Sequence, residues 1–277
     1  MTTFTLTGFA DEISPEPGAQ LETLAAESIR HLELRSAWST NVASLTDASL
    51  AQFRRQIEEA GVRVSAIGSP IGKIAIDAPV GPELERMRRI ADVAGLFGTT
   101  IVRVFSFFIP AGEPPERYRQ EVIDRMGALA QIAAERGVVL AHENEKEIYG
   151  DIPERCADLI TSVGSPALQA TFDAANFVQC GVRPHTDGYQ LLRPHLVYLQ
   201  VKDALAATGE VVPAGQGDGE VRETLAALAA SGFSGYASLE PHLAEAGRYG
   251  GFSGAQEFRR AAAALKDLLR ELSIPWQ

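Results

Sequence analysis

Four polar residues stand where a shared site would need them, each at the end of a short apolar run. Val138-Val139-Leu140-Ala141-His142-Glu143, Ala170-Thr171-Phe172-Asp173 and Tyr236-Ala237-Ser238-Leu239-Glu240 all close on a carboxylate, and Val197-Tyr198-Leu199-Gln200-Val201-Lys202 carries an amide and an ammonium. Glu143, Asp173, Gln200 and Glu240 are 30, 27 and 40 residues apart, about one strand-helix unit each. If those units are neighbours, the four groups converge. Three carboxylates gathered in a partly dry cavity repel one another and need either a proton or a cation. One divalent metal ion answers that need. The donors are all oxygen, which favours Mn²⁺ or Mg²⁺, with Co²⁺ or Zn²⁺ left open. The competing reading, that such carboxylates merely cap helices or pair with rim arginines, fits any one of them better than it fits all four.

Convergence demands a regular scaffold. Short β-rich runs at 4–10, 31–35, 62–68, 99–105, 138–143, 168–173, 196–202 and 235–240 alternate with helical spacing at 16–28, 47–60, 81–97, 115–136, 152–163, 186–192, 219–231 and 254–272. Gly61, Gly98, Gly137 and Gly232 fall where helices should close, and Thr46 with Asp47, and Ser253, fall where they should begin. Eight such pairs in 277 residues predict one (β/α)₈ TIM barrel domain over 1–277, in which strand-end residues build the site. A doubly wound sheet would show GxGxxG after the first strand, where Thr7-Gly8-Phe9-Ala10-Asp11-Glu12 stands instead. Gly215-Gln216-Gly217-Asp218-Gly219 has two readings, a phosphate cradle or a tight βα loop, and the second is the more economical.

Composition narrows the partners. Hydrophobic residues make up 45% of the chain and charged ones 22%, a globular balance without disordered tracts. A net charge of -11 opposes a nucleic-acid partner. The chain has no apolar stretch of membrane-spanning length and no secretory leader pattern, and its two cysteines, Cys156 and Cys180, form no CxxC. A soluble cytoplasmic protein with free thiols, acting on a small molecule, is the expectation; self-association is left open.

In Glu143-Asn144, Phe172-Asp173-Ala174-Ala175-Asn176, Gln200-Val201-Lys202-Asp203 and Gly235-Tyr236-Ala237-Ser238-Leu239-Glu240 the chain resembles the xylose isomerase-like TIM barrel superfamily, in particular its sugar phosphate isomerase/epimerase branch. Two positions depart from that pattern: Gln200 replaces a frequent metal-binding His, and Asn176 replaces a His that contacts substrate in epimerases. The resemblance implies proton abstraction beside a carbonyl through an enediolate, with Glu143 and Glu240 both ligating metal and moving protons. Epimerisation, isomerisation and loss of a β-hydroxyl, as in an inosose-type dehydratase, share these residues. A DNA phosphodiesterase of the same superfamily would need more than the five histidines present; a non-catalytic sugar-binding barrel would be expected to lack a carboxylate.

Further candidates surround the four. Glu33 and Arg35 alternate on the second strand, so both could face a polyol or form a buried ion pair. Lys202 shares the face of Gln200 and could hold substrate oxygens. His242 and His185 fall in rim loops where imidazoles contact substrate hydroxyls, whereas His142 faces away from Glu143, toward the helices. Asp11, Glu12 and Lys73 lie near the rim and could meet the far end of a substrate. Phe105, Phe107, Phe108, Trp38 and Tyr149 could form an apolar wall or simply core.

Overall fold

The computed structural model describes residues 3–247 and 250–277. Eight parallel strands form the barrel: β1 (Thr5–Gly8), β2 (His31–Leu34), β3 (Arg63–Gly68), β4 (Ile101–Val104), β5 (Val139–Glu143), β6 (Leu168–Asp173), β7 (Leu196–Val201) and β8 (Tyr236–Leu239). Each pairs with its sequence neighbours from β2 through to β8, and β8 pairs with β1. Among the described residues the seam between β1 and β2 carries a single bridge, Phe9 to Glu33, which leaves the barrel nearly closed.

Period-two alternation sorts the strand residues. Outward Leu32, Leu34, Val102, Val104, Leu140, Leu168, Phe172, Leu199, Val201 and Leu239 join the helices in one large apolar cluster. Inward positions hold only a small apolar group, Ala66, Ala141 and Tyr198, beside a polar chain in which the Tyr198 hydroxyl meets Ser65 Oγ at 2.9 Å and Ser65 Oγ meets Thr7 Oγ1 at 2.7 Å. The interior is therefore polar toward its C-terminal end, which is where the inward Glu33, Glu143 and Asp173 stand.

The helices are α1 (Pro17–Ala26), α2 (Asp47–Glu59), α3 (Gly81–Phe97), α4 (Arg119–Arg136), α5 (Pro153–Val163), α6 (Ala174–Gln179), α7 (Val221–Ala230) and α8 (Gly254–Glu271). Seven fall inside the predicted ranges. The sixth does not. A helix predicted at 186–192 is instead a π-helical turn, Pro184–Tyr189, followed by one α-turn, Gln190–Leu192, and α6 starts directly at the end of β6. Asp173 causes this: its Oδ1 accepts from the Asn176 backbone N–H at 2.9 Å and so caps α6. Thr46 caps α2 as expected. Ser253 sits at the N-cap position of α8 without capping it, because its hydroxyl donates to Glu12 at 2.8 Å.

Three small hairpins rise from the C-terminal rim: Ser36–Ala37 with Thr40–Asn41 after β2, Asp203–Ala204 with Val211–Val212 after β7, and Glu245–Gly247 with Gly250–Phe252 after β8. Among the described residues no helix is long and apolar enough to cross a membrane, and both cysteines are free.

His142 points outward from β5, as its alternation predicts, and is buried with neither ring nitrogen bonded. Burial lowers its pKa from 6.5 to about 4, so the ring is neutral in the fold while the unfolded chain binds a proton more readily. That contribution to stability is complete above pH 6.5 and is lost as pH falls through 4. Denaturant titrations at pH 7 and pH 4 should show wild type losing about 3 kcal/mol more than His142→Leu over this interval; equal losses would contradict a neutral, unpartnered ring.

Candidate active site

Glu143, Asp173 and Glu240 meet at the C-terminal mouth, with ligand-capable oxygens all within 4.8 Å of one another. All three are buried. Each arrives from the end of its own strand: Glu143 and Asp173 are the last residues of β5 and β6, and Glu240 follows β8. Lys202, one residue past β7, places Nζ 3.0 Å from Asp173 Oδ2 and 3.0 Å from Glu240 Oε2.

Two arginines complete the shell. Arg103 on β4 donates to Glu143 Oε2 at 3.1 Å and lies 3.7 Å from Glu240 Oε1. Arg35 donates to Asp11 Oδ2 at 2.8 Å and to Glu240 Oε1 at 3.2 Å. Both guanidinium groups sit over the Phe9 ring, at 4.4 Å for Arg35 and 4.9 Å for Arg103. Phe9 reaches that position because residue 68 is glycine; a Cβ there would stand 2.5 Å from the ring. Arg103 carries a signal that was present in the sequence: an arginine inside the apolar run Ile101-Val102-Arg103-Val104, on the inward alternation.

The carboxylates are not equivalent. Burial raises Glu143, and the nearby Glu240 raises it further. Asp173 is likewise raised by burial, to about 7, against the opposing pull of Lys202. Burial also acts to raise Glu240, but Lys202, His242, Arg103 and Arg35 together outweigh it and hold this carboxyl well below the usual range.

Asparagines lock the Glu143–Asp173 edge. Asn144 Oδ1 accepts from the Asp173 backbone N–H, and Asn144 Nδ2 donates to the Asp173 carbonyl, both at 2.9 Å. Asn176 Nδ2 donates to the Asn144 carbonyl at 2.9 Å and to Glu143 Oε1 at 3.3 Å.

Gln200 stands in register between Asp173 and Ser238. Its amide nitrogen donates to Glu33 Oε2 at 2.9 Å, as Ser238 does at 2.6 Å, and burial raises Glu33 to about 7. Glu33 and Arg35 thus serve different partners and do not form the simple mutual pair that was one of the two expectations. Gln200 Oε1 and Glu33 Oε1 are buried and accept no hydrogen bond among the described residues.

His242 joins the network from the loop after β8. Its Nδ1 meets Glu12 Oε1 at 2.5 Å, and its Nε2 lies 3.8 Å from Glu240 Oε1. Glu12 also accepts the His242 backbone N–H at 2.9 Å, so β1 and the β8 loop are tied together. Glu12, Glu240 and His242 form a second group able to surround a cation. His185 stands outside this network; it stacks on Tyr189 at 5.1 Å and approaches Thr224 Oγ1 at 3.5 Å. The expected aromatics divide. Phe105 carries Lys73 and Arg103 over its ring, at 4.2 and 4.7 Å, whereas Phe107 and Tyr149 belong to the main core.

The glycine cluster already holds an anion belonging to the chain. Asp203 accepts backbone N–H groups from Ala204, Gly215, Gly217 and Gly219 at 2.8 to 3.0 Å, and a Cβ at Gly217 or Gly219 would lie 2.5 Å from its Oδ1. This is the tight βα loop, folded around an internal carboxylate. A cavity of about 480 Å³ at the opposite end of the barrel, by His31, Arg63 and Tyr236, includes none of the carboxylate cluster.

Fold and site together define a (β/α)₈ barrel with an acidic, cation-balanced mouth. The model of the xylose isomerase-like TIM barrel family matches residues 21–268, and the chain belongs to that family. It is 32% identical over 184 residues to a 2-epi-5-epi-valiolone 7-phosphate 2-epimerase of an Actinoplanes species, a match that spans 65% of each protein. Among solved structures it superposes on a D-tagatose 3-epimerase-like protein with TM-score 0.78 at 15% identity, over 98% of both chains. It superposes equally well, TM-score 0.78 at 16% identity over 97% of this chain and 99% of the other, on the IOLI protein with a bound zinc atom.

Removing the anion from the glycine loop leaves four amides without their acceptor. Asp203→Ala should lower unfolding stability by about 3 kcal/mol, with Asp203→Asn intermediate; calorimetric midpoints unchanged in both variants would contradict the cradle's role.

Proposed function

We propose that the protein is a divalent-metal-dependent isomerase or epimerase of a sugar or sugar phosphate. The observation that carries this reading is the meeting of Glu143, Asp173 and Glu240 within 4.8 Å, beside a buried Gln200 Oε1 that lacks a hydrogen-bond partner. An oxygen donor buried without a donor to satisfy it is a feature a cation explains. Charge supports the same view. Among the described residues, the ion pairs of Asp11, Glu12, Glu143, Asp173 and Glu240 with permanent cations run to Arg35, Arg103 and Lys202.

Glu143, Asp173, Gln200 and Glu240 would hold the ion, and their oxygen donors favour Mn²⁺ or Mg²⁺ over Zn²⁺. When bound, a divalent cation polarises substrate carbonyl and hydroxyl oxygens and stabilises the charge of an enediolate. The chain's own residues supply the rest. Glu240, held ionised by the surrounding cations, accepts the proton from the carbon beside the carbonyl. The electrons of that C–H bond pass to the carbonyl oxygen. Glu143 would return a proton: delivery to the opposite face of the same carbon inverts the centre, whereas delivery to the former carbonyl carbon, with the neighbouring hydroxyl proton passing to the former carbonyl oxygen, moves the carbonyl. Lys202 and Asn176 would hold substrate oxygens and the carboxylates in place, with Arg35 and Glu33 supporting the shell. His242, held by Glu12, would face the substrate from the β8 loop. The relative whose name specifies 2-epimerisation of a 7-phosphate supports the same class of reaction.

Elemental analysis of the purified protein, then chelation and Mn²⁺ add-back during solvent deuterium exchange on ketoses and inososes, tests this directly. Near-stoichiometric metal and metal-dependent exchange are expected; absence of both would replace the enzyme with a binding barrel. Glu143→Gln and Glu240→Gln should each reduce turnover by at least about 10³-fold in a folded protein, and wild-type turnover in either would remove that residue from the mechanism. Asp173→Ala should lose metal on dialysis while wild type keeps it; equal retention would place the ion elsewhere.

A further inference from the structure

A cavity of about 370 Å³ opens beside the carboxylate cluster, on the β2–β4 side of the mouth. Four basic side chains line it, Arg35, Lys73, Arg86 and Arg103, together with Asn41 and Ser44, and among the described residues no acidic one does. In a chain of net charge -11 this is a local reversal of sign. The carboxylates that pair with these cations stand outside the lining: Asp11 with Arg35, Glu145 with Lys73, Glu83 with Arg86 and Glu143 with Arg103. The charged side chains that line the cavity are all cationic.

The cavity is joined to the reaction centre. Arg103 and Arg35 line it and also hold Glu143 and Glu240, so an anion bound there sits at a fixed distance from the carboxylates. Arg103 is 4% exposed, and its Nε–H has no partner among the described residues. A buried, charged donor left unpaired is costly unless a ligand completes it. Lys73 adds a related observation. Burial lowers its ammonium, Glu145 offsets part of that effect, and Arg103 adds repulsion; an anion between Lys73 and Arg103 relieves the repulsion.

We infer that this cavity is the subsite for a phosphate monoester at the far end of the substrate, which makes the natural substrate a phosphorylated keto-polyol. The inference rests on the isomerase reading for its substrate class. Its location rests on the cationic cavity alone. Arg86, at the start of α3, and Lys73, in the loop after β3, would engage the outer phosphate oxygens. Arg103 and Arg35 would set the reach from phosphate to the reacting carbon. The glycine loop after β7 cannot serve this purpose, since Asp203 fills it.

Titration calorimetry on the whole chain tests this, using inorganic phosphate, fructose 6-phosphate, fructose and glucuronate as probes. The ester should bind at least about tenfold more tightly than fructose, and inorganic phosphate should compete with it. Lys73→Gln and Arg86→Gln should each weaken binding of inorganic phosphate by about tenfold. Equal affinity for ester and free ketose, or phosphate binding unchanged in both variants, would overturn the subsite. Tighter binding of glucuronate than of the ester would assign the cavity to a carboxylate and overturn the phosphate. Because these readouts need no turnover, intact phosphate binding without deuterium exchange would sink the isomerase reading alone. Exchange on unphosphorylated ketoses without phosphate binding would sink the subsite alone.

Discussion

Keeping several carboxylates dry in one barrel mouth is the constraint on which the rest of the site depends. Glu143, Asp173 and Glu240 are each buried, and buried ions persist only when paired and hydrogen-bonded. The fold answers with cations from three directions: Lys202 between Asp173 and Glu240, Arg103 on Glu143, and Arg35 on Glu240. Those arginines in turn need a surface to lie on, which Phe9 provides, and Phe9 needs the space left by Gly68. A line of dependence therefore runs from a missing side chain on β3 to the protonation of groups on β5 and β8. Burial still raises Glu33 and Asp173 to about 7 against the pull of Arg103 and Lys202.

The rim loops are secured by side chains from the same region. Glu12 holds the β8 loop through His242 and Ser253, while Asp203 gathers the β7 loop through its glycines. Arg35 reaches the Gly251 carbonyl at 3.3 Å, joining the β2 end to the β8 hairpin. The mouth is thus shaped by polar contacts, in contrast to the apolar packing that fixes the helices outside the barrel. Loss of one polar anchor should disturb the site more than the barrel.

Much of this was legible in the sequence because it follows from periodicity. Strand ends of type apolar-run-then-carboxylate marked Glu143, Asp173 and Glu240, and alternation put His142 on the outer face. The sixth helix was missed because Asp173 was read as a strand-end ligand, when it also caps a helix that starts at once. The glycine cluster could not be assigned to an anion until Asp203 was seen inside it. Arg103, a charge inside the apolar run Ile101-Val102-Arg103-Val104, is a local misfit that itself signals a site residue. The protein's own Arg35, Arg103 and Lys202 beside the three carboxylates come from other strand ends and were not legible from the spacing of the carboxylates. Which partner a side chain chooses, as Gln200 chooses Glu33, is set by tertiary geometry that no spacing encodes.

The chain belongs to the xylose isomerase-like TIM barrel family, and the central proposal is that its carboxylate cluster is a metal centre. Anomalous diffraction from Mn²⁺-soaked crystals tests it most directly. One strong peak is predicted within coordinating reach of Glu143, Asp173 and Glu240, with Gln200 turned toward it. A peak confined to the Glu12–His242 group, or none in the mouth, would contradict the account.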